Sequence, residues 1–368
     1  MALDELKVAE IAAAVAEQGL PWTASENELT ALPLEERQKR LGVLVTDEEL
    51  ARMASETMQL ASQEERQLQA RVFGAPSAID WRNIGGANYV TSVKNQGGCG
   101  SCVSFCSCAV IESAVRIKLQ NPNYAIDLSE AFLQFCGGGS CSGWGLTSGL
   151  DFAKSTGTTD EACMPYQPTN MNCAASRCSD WQNRLTKISS YTGYATMTAR
   201  KDAVATNGPL LAGMAVYNDF FAYSSGVYVG MKSTGLAGYH CITIVGYDDA
   251  QQCWILKNSW GAGWGDGGFV RIRYNQPDLL LDTSWQFYSV VPVISAAWHS
   301  NVTVAQAYSS HHSQNAWAYF TGLGWRKIQA GAPDGVTNML TLLTQAVAEG
   351  RKVTVYADGD FVYQAYLS

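Results

Sequence analysis

The chain has 368 residues, room for two or three domains, with a net charge of −8, 47% apolar and 11% aromatic residues. That apolar content rules out a largely disordered chain, and the negative balance gives no basis for nonspecific attraction to nucleic acid or acidic membranes. No apolar run approaches the ~18 residues of a membrane helix, so no membrane span is expected.

Residues 1–74 carry 7 Lys/Arg against 14 Asp/Glu and no cysteine. Leu6, Val8, Ile11, Ala12 and Val15 recur at helical spacing and stop at Gly19 and Pro21. A second helical stretch runs through Leu29, Leu32, Leu34 and Leu41. A third starts at Asp47-Glu48-Glu49, acids that suit a helix N-terminus. The plain reading is a small helical domain; the sharper one is a cleavable inhibitory segment.

From about Asp80 the chain turns Gly-, Cys- and aromatic-rich. All eleven cysteines lie between Cys99 and Cys253, and with 16% charged residues they favour an oxidising, secreted or extracytoplasmic setting. Met1-Ala2-Leu3-Asp4-Glu5 lacks the basic start of a secretory leader, so none is expected within this sequence. The densest cluster, Gln96-Gly97-Gly98-Cys99-Gly100-Ser101-Cys102, precedes apolar positions Phe105, Ala109, Ile111, Val115 and Leu119 that suit a helix. Cys102 would sit at its N-terminus, where free amides and the helix dipole favour a thiolate.

A thiolate needs a proton acceptor, and the only histidines are His240, His299, His311 and His312. His240 opens a strand that ends near Tyr247. Trp254-Ile255-Leu256 forms another, closed by Lys257-Asn258-Ser259-Trp260-Gly261. Joined at Asp248-Asp249 as a hairpin, they would set Asn258 opposite His240 to orient its ring, with Cys253 facing Val245. No His stands at zinc-site spacing from the cysteines, so no metal or cofactor is expected.

These motifs resemble the papain-like cysteine peptidases. His240 and Asn258 follow Cys102 by 138 and 156 residues. Asp80-Trp81-Arg82, Val93-Lys94-Asn95-Gln96 and Leu128-Ser129-Glu130 fall in family order over about 215 residues. The resemblance implies an α+β fold: a two-lobed catalytic domain, helical lobe plus β-barrel-like lobe, at 75–293, after a helical propeptide at 1–74. It implies Cys102 as nucleophile, anionic well below its ordinary pKa of ~8.5, and His240 as base and later acid. Asn258 would hold the ring, Trp260 would shield their bond, and the Gln96 side chain with the Cys102 amide would bind the oxyanion. Protein or peptide substrates would be cleaved through a thioester. The propeptide would cross the cleft backwards, with cleavage near 69–75, and its acidic charge motivates release by acid.

Also implied are disulfides joining Cys99 to Cys141, and Cys136 to Cys173 or Cys178, with Cys163 taking the other. Cys106 and Cys108 read as buried thiols. Two departures stand out. Val103 follows the nucleophile where the family has Trp. In Cys141-Ser142-Gly143-Trp144, Trp144 replaces a glycine whose backbone pairs with the substrate's second residue before the cleaved bond, so its ring either narrows the cleft or folds outward. Leu146, Gly213, Gly238 and Cys241 are candidates for a pocket that small residues would leave roomy. The rival reading is a catalytically silent scaffold, its cleft closed by Trp144, that binds protein or glycan.

Residues 294–368 lack cysteine and read as five strands (302–305, 316–320, 325–328, 352–357, 361–367) around one helix (337–349). That suits a small β-rich barrel of the OB type. The helix-then-strand run resembles the sugar-binding subunits of bacterial toxins, and a glycan or protein ligand is expected. Trp298, Trp317, Tyr319 and Trp325 would be core filling or, less commonly, a sugar-stacking platform. His311-His312 reads as a solvated loop.

Overall fold

The structure is a computed structural model that describes residues 7–68, 74–294, 297–309, 315–329 and 333–368. The expected cleavage stretch lies mostly outside these residues, as do His311, His312 and the Trp298 side chain. The chain forms two compact units, one running to Ala114 and from Ile126 to Val291, the other Val115–Ala125 with Pro292–Ser368. Residues 7–68 belong to the first unit rather than standing apart.

The N-terminal segment holds α1 (Val8–Glu17), β1 (Trp22–Ala24), α2 (Leu34–Gln38) and α3 (Asp47–Leu68). Ile11 and Val15, one turn apart, are the buried residues of α1. Its short strand β1 was not expected. Next come β2 (Ala78–Asp80), α4 (Cys102–Lys118), α5 (Ser148–Ser155), α6 (Cys173–Ser176), β3 (Lys187–Tyr194) and α7 (Met197–Asn207). The strands β4 (Leu210–Tyr217), β5 (Tyr223–Tyr228), β6 (Leu236–Asp248), β7 (Cys253–Lys257), β8 (Phe269–Arg273) and β9 (Phe287–Val293) follow. They form one sheet in the order β1-β5-β8-β7-β6-β4-β9-β3, with β2 on β6. The N-terminal segment thus supplies an edge strand, Trp22 opposite Gly226, and covers an edge that would otherwise stay unpaired.

Helix α4 is buried all round from Cys102 to Val115, so it is a central helix rather than one with a single apolar face. Three disulfides fasten the surrounding loops: Cys99–Cys141, Cys136–Cys173 and Cys163–Cys178. Cys102, Cys106, Cys108, Cys241 and Cys253 are free and buried.

The β6–β7 register differs from the expected one. Thr243 faces Lys257, the register shifts between Ile244 and Gly246, and Cys253 pairs with Asp248 rather than Val245. Continuing the ladder sets Asn258 level with Ile242. That is two residues beyond His240 on the same face, a diagonal that a side chain can span.

The second unit contains β10 (Ala297–Ser309), β11 (Ala316–Phe320), β12 (Gly324–Ile328), α8 (Pro333–Glu349), β13 (Lys352–Ala357) and β14 (Phe361–Leu367). The strands close into a barrel in the order β10-β11-β12-β14-β13, with β12 and β14 parallel. Five strands with a helix between the third and fourth match the small barrel expected. Ala316, Ala318, Phe320 and Ile328 point inwards and pack with Leu343, Ala346, Val353 and Val355. Trp317, Tyr319 and Trp325 alternate with inward residues and stay partly exposed. Core filling is therefore not their role.

Candidate active site

Cys102 is the first residue of α4, and His240 stands on β6. The His240 ring meets Asn258 through Nε2···Oδ1 at 2.8 Å, and the Ser259 amide donates to the same Oδ1 at 2.8 Å. With Nε2–H donating, the lone pair of Nδ1 is left to accept a proton. Trp260 is buried, with its ring centroid 4.8 Å from the imidazole and Phe221 stacked on it at 5.2 Å. Water is thereby kept from the His–Asn bond.

The Gln96 side chain is fixed at its oxygen by Ser259 Oγ, which donates to Oε1 at 2.7 Å. Its Nε2 donates to the Cys99 carbonyl at 2.8 Å and the Arg40 carbonyl at 3.0 Å. Lys94, two residues earlier, holds Glu130 at 2.7 Å, so two of the family-like motifs are tied by one ion pair. Val103 is fully buried in α4.

Residues 40–44 fill the space above these groups. The Gly42 amide donates to Cys102 Sγ at 3.3 Å, and the Cys241 amide also hydrogen-bonds that sulfur. The Arg40 carbonyl faces both Gln96 and His240. The Trp144 amide donates to the Gly42 carbonyl at 2.8 Å and the Leu44 amide to the Trp144 carbonyl at 2.9 Å, a parallel bridge centred on Val43. Opposite, the Val43 amide donates to the Tyr239 carbonyl at 3.2 Å. Arg40, whose carbonyl meets Gln96, precedes Val43, which pairs with Trp144.

Gly42 makes this passage possible. A Cβ there would lie 2.0 Å from the Gly100 carbonyl oxygen, and one on Gly143 would lie 2.6 Å from the Gly42 oxygen. Anchors lie to either side. Trp22 packs on Tyr228 at 5.1 Å, and the Asn27 side chain donates to the Phe221 carbonyl at 2.9 Å. Buried Arg37 sits 5.7 Å above the Phe221 ring. Glu64 accepts from the Thr196 amide at 2.7 Å and from Thr196 Oγ at 2.8 Å, at the start of α7.

Burial under this strap changes the acid–base state. The Cys102 thiol is pushed up to about 12 by desolvation, against the opposing amides of Cys241 and Gly42. His240 is pushed down to about 4, again by burial, against the bond to Asn258 and the Arg40 carbonyl. Burial under the strap therefore favours the neutral thiol and the neutral imidazole over the charged pair.

The expected specificity residues divide. The Trp144 ring lies against Gly137, where an added Cβ would meet it at 2.4 Å, and its main chain holds residues 42 and 44. Gly238 lies under Leu41, at 3.1 Å from a built Cβ. Leu146 is buried. Gly213 opens no pocket, because the buried Trp285 ring occupies the space a side chain would take, 2.0 Å from a built Cβ. The Cys241 thiol meets that of Cys106 beneath the site. Tyr239 and Trp285 escaped the sequence reading and Ser259 was given no role there, since a carbonyl, a packed ring and a lone hydroxyl carry no signal of their own.

The model of the papain family cysteine proteases matches residues 75–284. The chain belongs to that family. It is 32% identical over 212 residues to a cathepsin L-like proteinase of Phaedon cochleariae, covering 55% of this chain and 61% of that protein. It is 35% identical over 207 residues to ananain of Ananas comosus, covering 55% and 56%. The match thus spans about three fifths of these relatives. Among solved structures, digestive procathepsin L2 proteinase from Tenebrio molitor larval midgut superposes with a TM-score of 0.58 at 26% identity, over 77% of this chain and 88% of that one. ProCathepsin B S9 from Trypanosoma congolense shares the fold at 20% identity and a TM-score of 0.61, over 78% and 98%. Both of these matched structures are proforms.

Proposed function

We propose that this chain is a cysteine endopeptidase made as an autoinhibited zymogen, acting on proteins or peptides outside the cytoplasm. One observation carries the reading: Gln96, Cys102 and His240 converge on the peptide Arg40–Gly42, the place a substrate carbonyl would take. Once the strap leaves, that carbonyl would accept from Gln96 Nε2 and the Cys102 amide. Cys102 would pass its proton to His240 Nδ1 and attack the carbonyl carbon. His240 would then protonate the leaving amine, and water would hydrolyse the thioester. The barrel would carry a glycan or protein ligand. A silent scaffold that only binds protein or glycan would have no need of the complete Gln96, Cys102, His240 and Asn258 set.

The test compares wild type with Cys102→Ala at pH 4–7 in a reductant, by mass spectrometry and by labelling with an epoxide thiol inhibitor. Wild type is expected to shorten near 69–75 and to take up one equivalent of label, while the variant does neither. A wild type that stays intact and unlabelled after deliberate removal of the N-terminal segment would refute the reading.

A further inference from the structure

The barrel presents an aromatic surface that its own core does not use. Tyr308 on β10, Trp317 and Tyr319 on β11, and Trp325 on β12 all point away from the barrel interior. They are neighbours across the strands: Tyr308 faces Trp317, and Tyr319 faces Trp325 with ring centroids 5.7 Å apart. The Trp317 indole N–H donates to Asn315 Oδ1 at 2.9 Å, which fixes the tilt of that ring. Gln306, Tyr308, Trp317, Trp325 and Val347 line a shallow groove of about 820 Å³. Tyr308 is 54% exposed and Val347 38%, so the groove is open.

Charge selects the occupant. Residues 292–368 contain four Lys/Arg and four Asp/Glu, and of the basic residues only Lys327 stands across from one of these rings, paired with Trp317. A polyanion needs several cations to replace its counterions, and this face does not supply them. Rings with a polar rim suit instead a ligand that has apolar C–H faces and hydroxyl edges.

We propose that the outward face of β10–β12 binds a neutral oligosaccharide, stacked on Trp317 and Trp325 with Gln306 and Lys327 at its rim. This rests on the reading of the barrel as a ligand-carrying module and commits it to one chemistry and one face. It is independent of catalysis, so either can fail alone.

The full-length Cys102→Ala chain, which stays uncleaved, is titrated with cellohexaose, chitohexaose and maltohexaose, and with heparin and oligo-dT as polyanions. Intrinsic tryptophan fluorescence and calorimetry read the binding. At least one neutral hexasaccharide is expected to bind, with affinity unchanged between 50 and 200 mM salt. Trp317→Ala or Trp325→Ala should weaken it about tenfold or more, and Trp317→Phe, which keeps a ring, should retain most of it. Placed in the active chain, the same variants should shorten at the wild-type rate, which separates lost binding from lost folding. The proposal is overturned if no neutral hexasaccharide binds, if the double Ala variant still binds, or if only the polyanions bind and salt abolishes it.

Discussion

The cluster around Cys102 and the strap that covers it touch each other, yet they are built in opposite ways. On the proposed reading Cys102, His240, Asn258 and Gln96 would act through side chains of particular chemistry, supported by groups such as Ser259 and Trp260. Residues 40–44 make their polar contacts through main-chain groups, and Gly42 is constrained by the lack of a side chain. Inhibition needs shape and polarity of the backbone, whereas hydrolysis needs titratable atoms. The catalytic groups therefore leave a motif in the sequence and the strap hardly any.

The sharpest way to break this contrast is at the sulfur. Cys102→Ala should lower peptide hydrolysis by the activated chain about 10⁴-fold or more, with the fold intact by circular dichroism. A smaller loss in steady-state assays would mean that another group carries the reaction.

Next comes the strap. In Gly42→Ala, the added methyl meets the Gly100 carbonyl, so the uncleaved chain should be labelled at Cys102 about 10–100 times faster. The processed enzyme should keep its kcat/KM. Labelling at the wild-type rate would show that the strap tolerates a side chain and that its seating is not set by backbone approach.

Trp22→Ala removes a buried ring from the contact with Tyr228, a loss of about 3 kcal/mol by analogy with core truncations. Latency, measured as residual activity of the uncleaved chain, should fall without any change in turnover after processing.

Acid sharpens the comparison further. His240 has a pKa of about 4 in the closed form against 6.5 when free, so the open form binds more protons between those values. The closed form is therefore fully favoured above pH 6.5 and loses stability as pH falls towards 4, by about 3 kcal/mol at the limit of one such group. Self-shortening should accelerate across that window. The carboxylates first expected to drive it are poorer candidates. Among the described residues, Glu10, Glu36 and Glu56 pair with Lys7, Lys39 and Arg52 of the same segment. Glu64 is the exception, and Glu64→Gln should weaken the hold on α7 by about 1 kcal/mol, the smallest effect here. An acceleration centred below pH 4 would return the switch to the carboxylates.

Much of the molecule could be read from residue order. The helix after Cys102 and the five-strand pattern of the barrel follow from local periodicity, whereas the pairing of the six disulfide cysteines came from the family resemblance. The errors have physical sources. The β6–β7 register shifted because a bulge near Val245 leaves no mark in an apolar run. Gly213 looked like open space, but a glycine reports only its own missing side chain, and Trp285, 72 residues later, fills it. Core filling seemed the better use for Trp317, Tyr319 and Trp325, since composition does not say which parity of a strand faces inward.

The sequence alone determined which atoms are available for chemistry: a thiol at a helix start, one imidazole at workable separation, and amides to orient and to stabilise charge. Only the tertiary structure decided how deeply they are buried, the direction of the strap and the contact of Trp144 with Gly137. Those depend on which distant groups exclude water from a site, and solvent exclusion is a property of packed neighbours rather than of any single residue.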